Sequence, residues 1–371
     1  MLIDRRRLIG LSAGLFALGP RRLFAATAEG PRYASCAKLP DGSFAAVLMD
    51  AAGRILGVRP LPDRGHDIAH DPVSGRLVAF ARRPGSFAVV FEADPAVAPI
   101  LLPAPEGRHF YGHGVFSPDG KLLYTTENDY AAGQGVVGIY DVAAGFERVG
   151  EMPTGGIGPH ELVLLGDGRT LVVANGGLDT SPEFGRLDLN SADMEASLAV
   201  IDAPSGKLTA VRRLPDELRK LSIRHLAVDA AGAVWFGCQY EGAPTDLPPL
   251  AGRLTADGTT EMFALPDALR ARTRNYVGSV AASRDGDLVA FSAPRGGLIF
   301  AFDSATGRFA GTTRLADGCG IAPAAGEGAG GLLATSGEGA VIGLDFTKGD
   351  GSATPMSRED VAFDNHLTLI G

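Results

Sequence analysis

Three observations on this 371-residue chain predict an all-β protein built as a seven-bladed β-propeller. One hairpin pattern recurs: a short apolar strand, a tight turn (usually Asp-Gly) and a second apolar strand. The copies fall at near-regular intervals. Finally, the last stretch offers a single strand whose missing companions are found at the start of the chain. Repeats of four antiparallel strands are the signature of propeller blades, whose radial packing leaves only short edges exposed.

The best copy is Gly112-His113-Gly114-Val115-Phe116, turning at Asp119-Gly120 into Leu122-Leu123-Tyr124. It matches Gly158-Pro159-His160-Glu161-Leu162 with Asp167-Gly168, and Arg224-His225-Leu226-Ala227-Val228 before Trp235-Phe236. Gly65-His66-Asp67-Ile68-Ala69 and Gly278-Ser279-Val280-Ala281 with Asp285-Gly286 follow the same scheme. A weaker copy begins at Gly318-Cys319-Gly320-Ile321. After each hairpin come two more strands around a second turn, as at 136–141, 198–202 and 298–303.

Counted from its anchor residue, the pattern starts at 66, 113, 160, 225, 279 and 319, with steps of 47, 47, 65, 54 and 40 residues. A further step of 47 lands on His366. Residues 32–37, 43–49 and 54–58 supply the three strands that the His366 unit lacks, so the two ends are expected to close the ring in one blade. Residues 29–371 spread over seven blades give 49 each.

Residues 1–28 read as a targeting segment rather than part of the fold. Asp4-Arg5-Arg6-Arg7-Leu8-Ile9 resembles the twin-arginine export motif, a weakly apolar run of about a dozen residues follows, and Ala26-Thr27-Ala28 fits a cleavage site. That run is too short to span a bilayer, which takes roughly 20 residues. The expectation is a signal peptide over 1–28, a propeller over 29–371, periplasmic location and no membrane attachment after cleavage. The segment holds five Arg and one Asp; without it 29 basic and 42 acidic residues remain, net −13. Such a surface repels nucleic acid and anionic lipid. With 45% hydrophobic residues the chain is no disordered segment, despite 51 Gly and 24 Pro. A monomer is expected. Cys36, Cys238 and Cys319 make no disulfide framework; one pair at most can form.

The hairpins resemble those of YVTN-type propeller repeats. Signal and propeller together resemble an uncharacterised family of twin-arginine-exported propellers, a domain of unknown function. Genes of that family often sit beside those for imelysin-type iron-uptake and di-haem peroxidase-like proteins. The resemblance implies the fold over nearly the whole chain, and a role beside periplasmic metal-uptake partners.

In a blade the first strand lies innermost, so the anchors His66, His113, His160, His225, Ser279, Cys319 and His366 occupy equivalent places around one axis. Five of the chain's seven histidines share that position. Imidazole and thiolate ligate zinc, copper and iron, so His66, His113, His160, His225, His366 and Cys319 form the candidate metal set, for iron or copper. The arrangement resembles the axial histidines that hold copper in propellers such as nitrous oxide reductase. The competing reading is structural: in YVTN-like repeats such a His often bonds a neighbouring blade's backbone, and duplication copies it. Asp67 and Glu161 follow their histidines directly and, on a regular strand, point to the opposite face.

Arg82, Glu127, Asn175, Gln239 and Arg295 end second strands on the anchor face and are candidate ligand-binding residues at the channel mouth. Insertions at 176–195 and 241–250 emerge there too, as lids or as shields of adjacent blades. Cys36 and Cys238 read as buried packing residues or extra soft ligands, His70 and His109 as structural or exposed. No C-x-x-C-H, H-E-x-x-H or P-loop motif occurs, and no G-x-S-x-G lies within residues 29–371. Three functions compete: a metal-binding propeller in iron or copper uptake, a non-catalytic interaction platform, and a lactonase-like hydrolase with Glu127, Asn175 and a histidine around a divalent ion. Whether the chain is an enzyme stays open at this level.

Overall fold

A computed structural model describes residues 30–371 except 182, 184–188, 191, 327–330, 348 and 350. The signal-peptide reading of 1–28 therefore lies outside the described residues. The rest folds as predicted: seven antiparallel sheets ranged around an axis. Blade one comprises Gly65–His70, Leu77–Ala81, Phe87–Phe91 and Ile100–Pro103, from the axis outward. Blades two to six begin at Arg108–Phe116, Pro159–Leu164, Leu221–Val228, Ser279–Ala282 and Gly318–Pro323. Each innermost strand packs against that of the next blade.

Blade seven joins the two ends. Ala362–Phe363 and Thr368–Leu369 pair with Tyr33–Lys38, which continues outward to Phe44–Met49 and Ile55–Leu61. Its inner strand contacts both blade six and blade one, completing the ring. Among the described residues no helix is long and apolar enough to cross a membrane.

Burial follows radial position. The second strands Leu77–Ala81 and Leu288–Ala293 are buried at every residue because other strands flank them and neighbouring blades cover both faces. They therefore read as continuous apolar runs rather than alternating ones. The outermost strands Lys207–Arg213 and Ser352–Arg358 face solvent and are largely polar. The Ser-x-Asp-Gly turns are self-bonded: Ser117 Oγ donates to Asp119 Oδ1 at 2.7 Å and accepts from the Leu122 N–H at 2.9 Å. Gly120 sits at φ +67°, and a Cβ there would meet Asp71 and Val73 of blade one. Trp235, the one tryptophan, fills the core between blades four and five, its indole N–H donating to Asp229 at 2.9 Å.

One irregularity recurs where it matters. The innermost strands of blades one, two, three, four and six lose register at the anchor, between Gly65/Ile68, Phe110/Gly114, Pro159/Glu161, Ile223/His225 and Gly318/Ile321. Blade five, anchored by Ser279, keeps unbroken register with its neighbour. Blade seven's inner strand is interrupted between Phe363 and Thr368, where Asp364 and His366 lie. Such bulges re-aim side chains out of the strand's alternation.

A candidate metal centre of five axial histidines

The five anchor histidines converge. Their side chains are at most 8% exposed. Centroids of the His366, His66, His113, His160 and His225 rings lie 4.6, 4.9, 5.0 and 5.0 Å apart from one blade to the next, and His366 is 4.9 Å from His225 across the group. The backbone that positions them is cross-tied: the Thr126 hydroxyl bonds the carbonyls of both His113 and His160, and the Ser35 hydroxyl donates to the His366 carbonyl at 2.6 Å. Gly112, at φ +109°, leaves room for His66, whose Cδ2 would lie 2.6 Å from any Cβ there.

Three carboxylates stand behind the rings. His66 Nδ1 is 3.0 Å from Asp364, His113 Nδ1 3.1 Å from Asp67, and His225 Nδ1 3.1 Å from Glu161. Asp67 and Glu161 do not pair with the histidines they directly follow, as strand alternation leads one to expect, but the bulged backbone brings them to other histidines of the set. Each serves a histidine of the following blade instead of its own neighbour. Asp364 is further held by Arg82 at 3.1 Å and Arg64 at 2.5 Å.

Burial holds the His66 imidazole down at about 3 against the opposing bond to Asp364. It holds His160, His225 and His366 well below the ordinary range, with neighbouring imidazoles adding to the effect. These rings are neutral. Burial also raises Asp67 and Asp364, but bonds to His113 and His66 outweigh it and keep both carboxyls below their usual values. Asp364 therefore accepts the Nδ1 proton of His66 and leaves its Nε2 as a lone pair, while Asp67 stands in the same relation to His113 Nδ1. Glu161 goes the other way, raised by burial and by Asp67; a cation beside it would ionise it.

One nitrogen of every ring is buried without a partner: Nε2 of His66, His113, His225 and His366, and Nδ1 of His160. Each orphaned buried polar atom costs about 1–3 kcal/mol. Five would together cost about as much as a domain's entire stability, about 5–15 kcal/mol. Two ligand groups emerge, His66 with His113 and His160, and His113 with Glu161, His225 and His366, the donor atoms of each lying within 4.8 Å of one another. Ligands about 2.1 Å from an ion lie about 4.2 Å apart when opposed. The set is nearly of that size already.

The remaining candidates are dispersed. Cys319 does not join the histidines: at the blade-six bulge its Sγ turns to the Asp317 carbonyl at 3.0 Å, and burial raises the thiol. Glu127 is fully buried within blade two, bound by Tyr140 at 2.8 Å and Arg148 at 2.9 Å, not at the mouth. Asn175 is likewise buried, its amide donating to the Thr154 carbonyl at the end of blade two and to Ser197 in blade three. Glu127, on which the lactonase-like reading drew with Asn175, shares no ligand group with a histidine among the described residues. Gln239 bonds the Val277 carbonyl at 3.3 Å. Arg82 and Arg295, by contrast, line one cavity with Cys319 and Asp364.

Cys36 and Cys238 are buried free thiols, as is Cys319, so no disulfide forms among them. His109 is buried and bonded to Asn128 and to the Phe110 carbonyl, and His70 is half-buried. Of the insertion at 176–195, Leu178 and Thr180 are buried against Tyr111, whose ring is 6.3 Å from His160; this loop covers that side of the centre. The one at 241–250 reaches the next blade, Asp246 accepting from Asn275 at 2.8 Å. The carboxylate partners were the functional residues missed from sequence. Their signal was present: an acid directly follows the anchor in blades one and three, and another precedes His366 by two residues.

Fold and site together define a seven-bladed propeller with a buried axial cluster of imidazoles backed by carboxylates. The chain belongs to the family described as "Protein of unknown function (DUF1513)", which matches residues 59–370. No curated protein matches it. Among solved structures it is similar to hydrazine synthase of Kuenenia stuttgartiensis, at 13% identity and a TM-score of 0.60, over 92% of this chain and 100% of that one. It is also similar to a chain of a mitotic checkpoint complex, at 12% identity and a TM-score of 0.56, over 91% and 87%. Likeness at that identity concerns the fold alone.

Proposed function

We propose that this chain is an exported, periplasmic metal-binding propeller that holds iron or copper at the axial histidines and works in metal uptake. The observation that carries the metal is the set of five inward nitrogens without partners. A buried water has two protons to donate and leaves most of them unsatisfied, whereas an ion in either ligand group is held by three or four donors at once. Neutral imidazole with a carboxylate on its far nitrogen is the usual state of a metal-binding histidine. Donors of nitrogen and oxygen without thiolate suit divalent first-row ions.

Residues 5–7 support export by the twin-arginine route, which carries folded proteins and lets an ion be acquired beforehand. The family resemblance supports partners among periplasmic metal-uptake proteins. The test is elemental analysis of the natively purified chain beside His113→Ala and His160→Ala, with iron(II), copper(II) and zinc(II) added back after chelation. Near-stoichiometric iron or copper in the native protein, lost in His113→Ala, is expected. Equal, near-zero metal in all three proteins, with no uptake on reconstitution, would end the reading. Zinc alone would replace the choice of ion.

A further inference from the structure

Beside the histidine cluster a cavity of about 500 Å³ opens between blades five, six, seven and one. We propose that it is a binding site for a small organic polycarboxylate. This rests on the cavity's own residues and stands whether or not the histidines hold an ion.

The charge lining the cavity is the reverse of the molecule's. Lys38, Arg64, Arg82 and Arg295 face two acids, Asp317 and Asp364, in a chain whose net charge is −9. Asp364 is already paired with Arg64 and Arg82. Asp317 is packed against Gly337, where a Cβ would come within 1.9 Å of its carboxylate. The balance is a cationic chamber, and low-dielectric walls strengthen its pull on anions.

Arg295 is the most informative residue. Its guanidinium lies 4.1 Å from the centroid of the Tyr276 ring, and among the described residues it forms no ion pair. This cation–π contact holds the guanidinium over the ring. Tyr276 is tied in turn to blade seven through Asn365 Nδ2, which donates to its hydroxyl at 3.4 Å. A planar guanidinium held this way matches a carboxylate through two parallel bonds. Lys38 comes from blade seven and Arg295 from blade five, and neither is in an ion pair among the described residues, so two separate anionic groups on one molecule answer the geometry better than one compact ion. The volume falls in the ordinary range for small-molecule sites, about 300–1,000 Å³.

Calorimetric titration of the chelator-treated full chain with citrate, and separately with inorganic phosphate, tests this. Citrate is expected to bind in the micromolar range and far more tightly than phosphate. Arg295→Ala should weaken citrate at least tenfold and Arg295→Lys nearly as much, since the planar fork is lost in both. Tyr276→Leu, which removes the stack without changing charge, should weaken it several-fold. His113→Ala should bind citrate within twofold of the parent, which separates this site from the metal centre. No heat with citrate, unchanged affinity in Arg295→Ala, or phosphate binding as tightly as citrate would each overturn the proposal.

Discussion

At the scale of single residues, the centre depends on side chains that never need to touch a bound ion. Asp67 stands 3.1 Å from His113 Nδ1 and orients the ring, whose other nitrogen, Nε2, is buried without a partner. Removing such a partner costs about 10–100-fold in metal affinity. Asp67→Ala should raise the dissociation constant by that factor in a chelator-competition titration, and Asp67→Asn should recover part of it, because an amide oxygen still accepts. His109 gives a second, independent prediction. Its Nδ1–H faces the Phe110 carbonyl and its Nε2 faces the Asn128 amide, an arrangement only the neutral ring satisfies. Burial lowers it to about 4. The unfolded chain takes up the proton near 6.5, so this contribution is complete above 6.5 and is lost as pH falls towards 4, by at most about 3 kcal/mol. Urea unfolding across that range should show the slope, and His109→Gln should flatten part of it.

At the scale of elements, the bulge decides which anchors meet. Blade five has none, and there the anchor is serine. A histidine placed there would stay in the regular pleat. Ser279→His is therefore expected to leave metal stoichiometry unchanged in elemental analysis; a gain of bound metal would show that position alone suffices. The same feature separates what was legible in the sequence from what was not. Duplication printed the anchors at regular steps, so the blades and the five histidines could be read directly. A bulge has no fixed residue signature, so the partnering of Asp67 and Glu161 across blades could not be read, nor could the turning of Cys319 to the Asp317 carbonyl. Glu127 misled for another reason. A carboxylate at a strand end looks solvated, yet Tyr140 and Arg148 of the two following strands enclose it.

At the scale of the whole molecule, stability rests on blade seven. Phe363 and Leu367 are buried on the innermost strand, and Asp364 N–H bonds the Cys36 carbonyl. Burying two large apolar side chains contributes about 3–6 kcal/mol, a large part of a typical domain's total. Deleting residues 362–371 should lower the thermal midpoint by about 4–8 °C and abolish metal retention together. A truncated chain with an unchanged midpoint would show that the ring holds without the innermost strand of blade seven.

That closure has a further meaning for the imidazoles. Four of them come from blades that fold through neighbours in sequence, but His366 is brought in by pairing with a strand some 330 residues earlier, its carbonyl fastened by Ser35. A bound ion would therefore act as a keystone: one of its supports arrives only when the arch is shut, and its grip then opposes reopening in proportion to the logarithm of its concentration. Loading would thus report that assembly is finished, and an unclosed ring would give up its cargo before it gave up its shape.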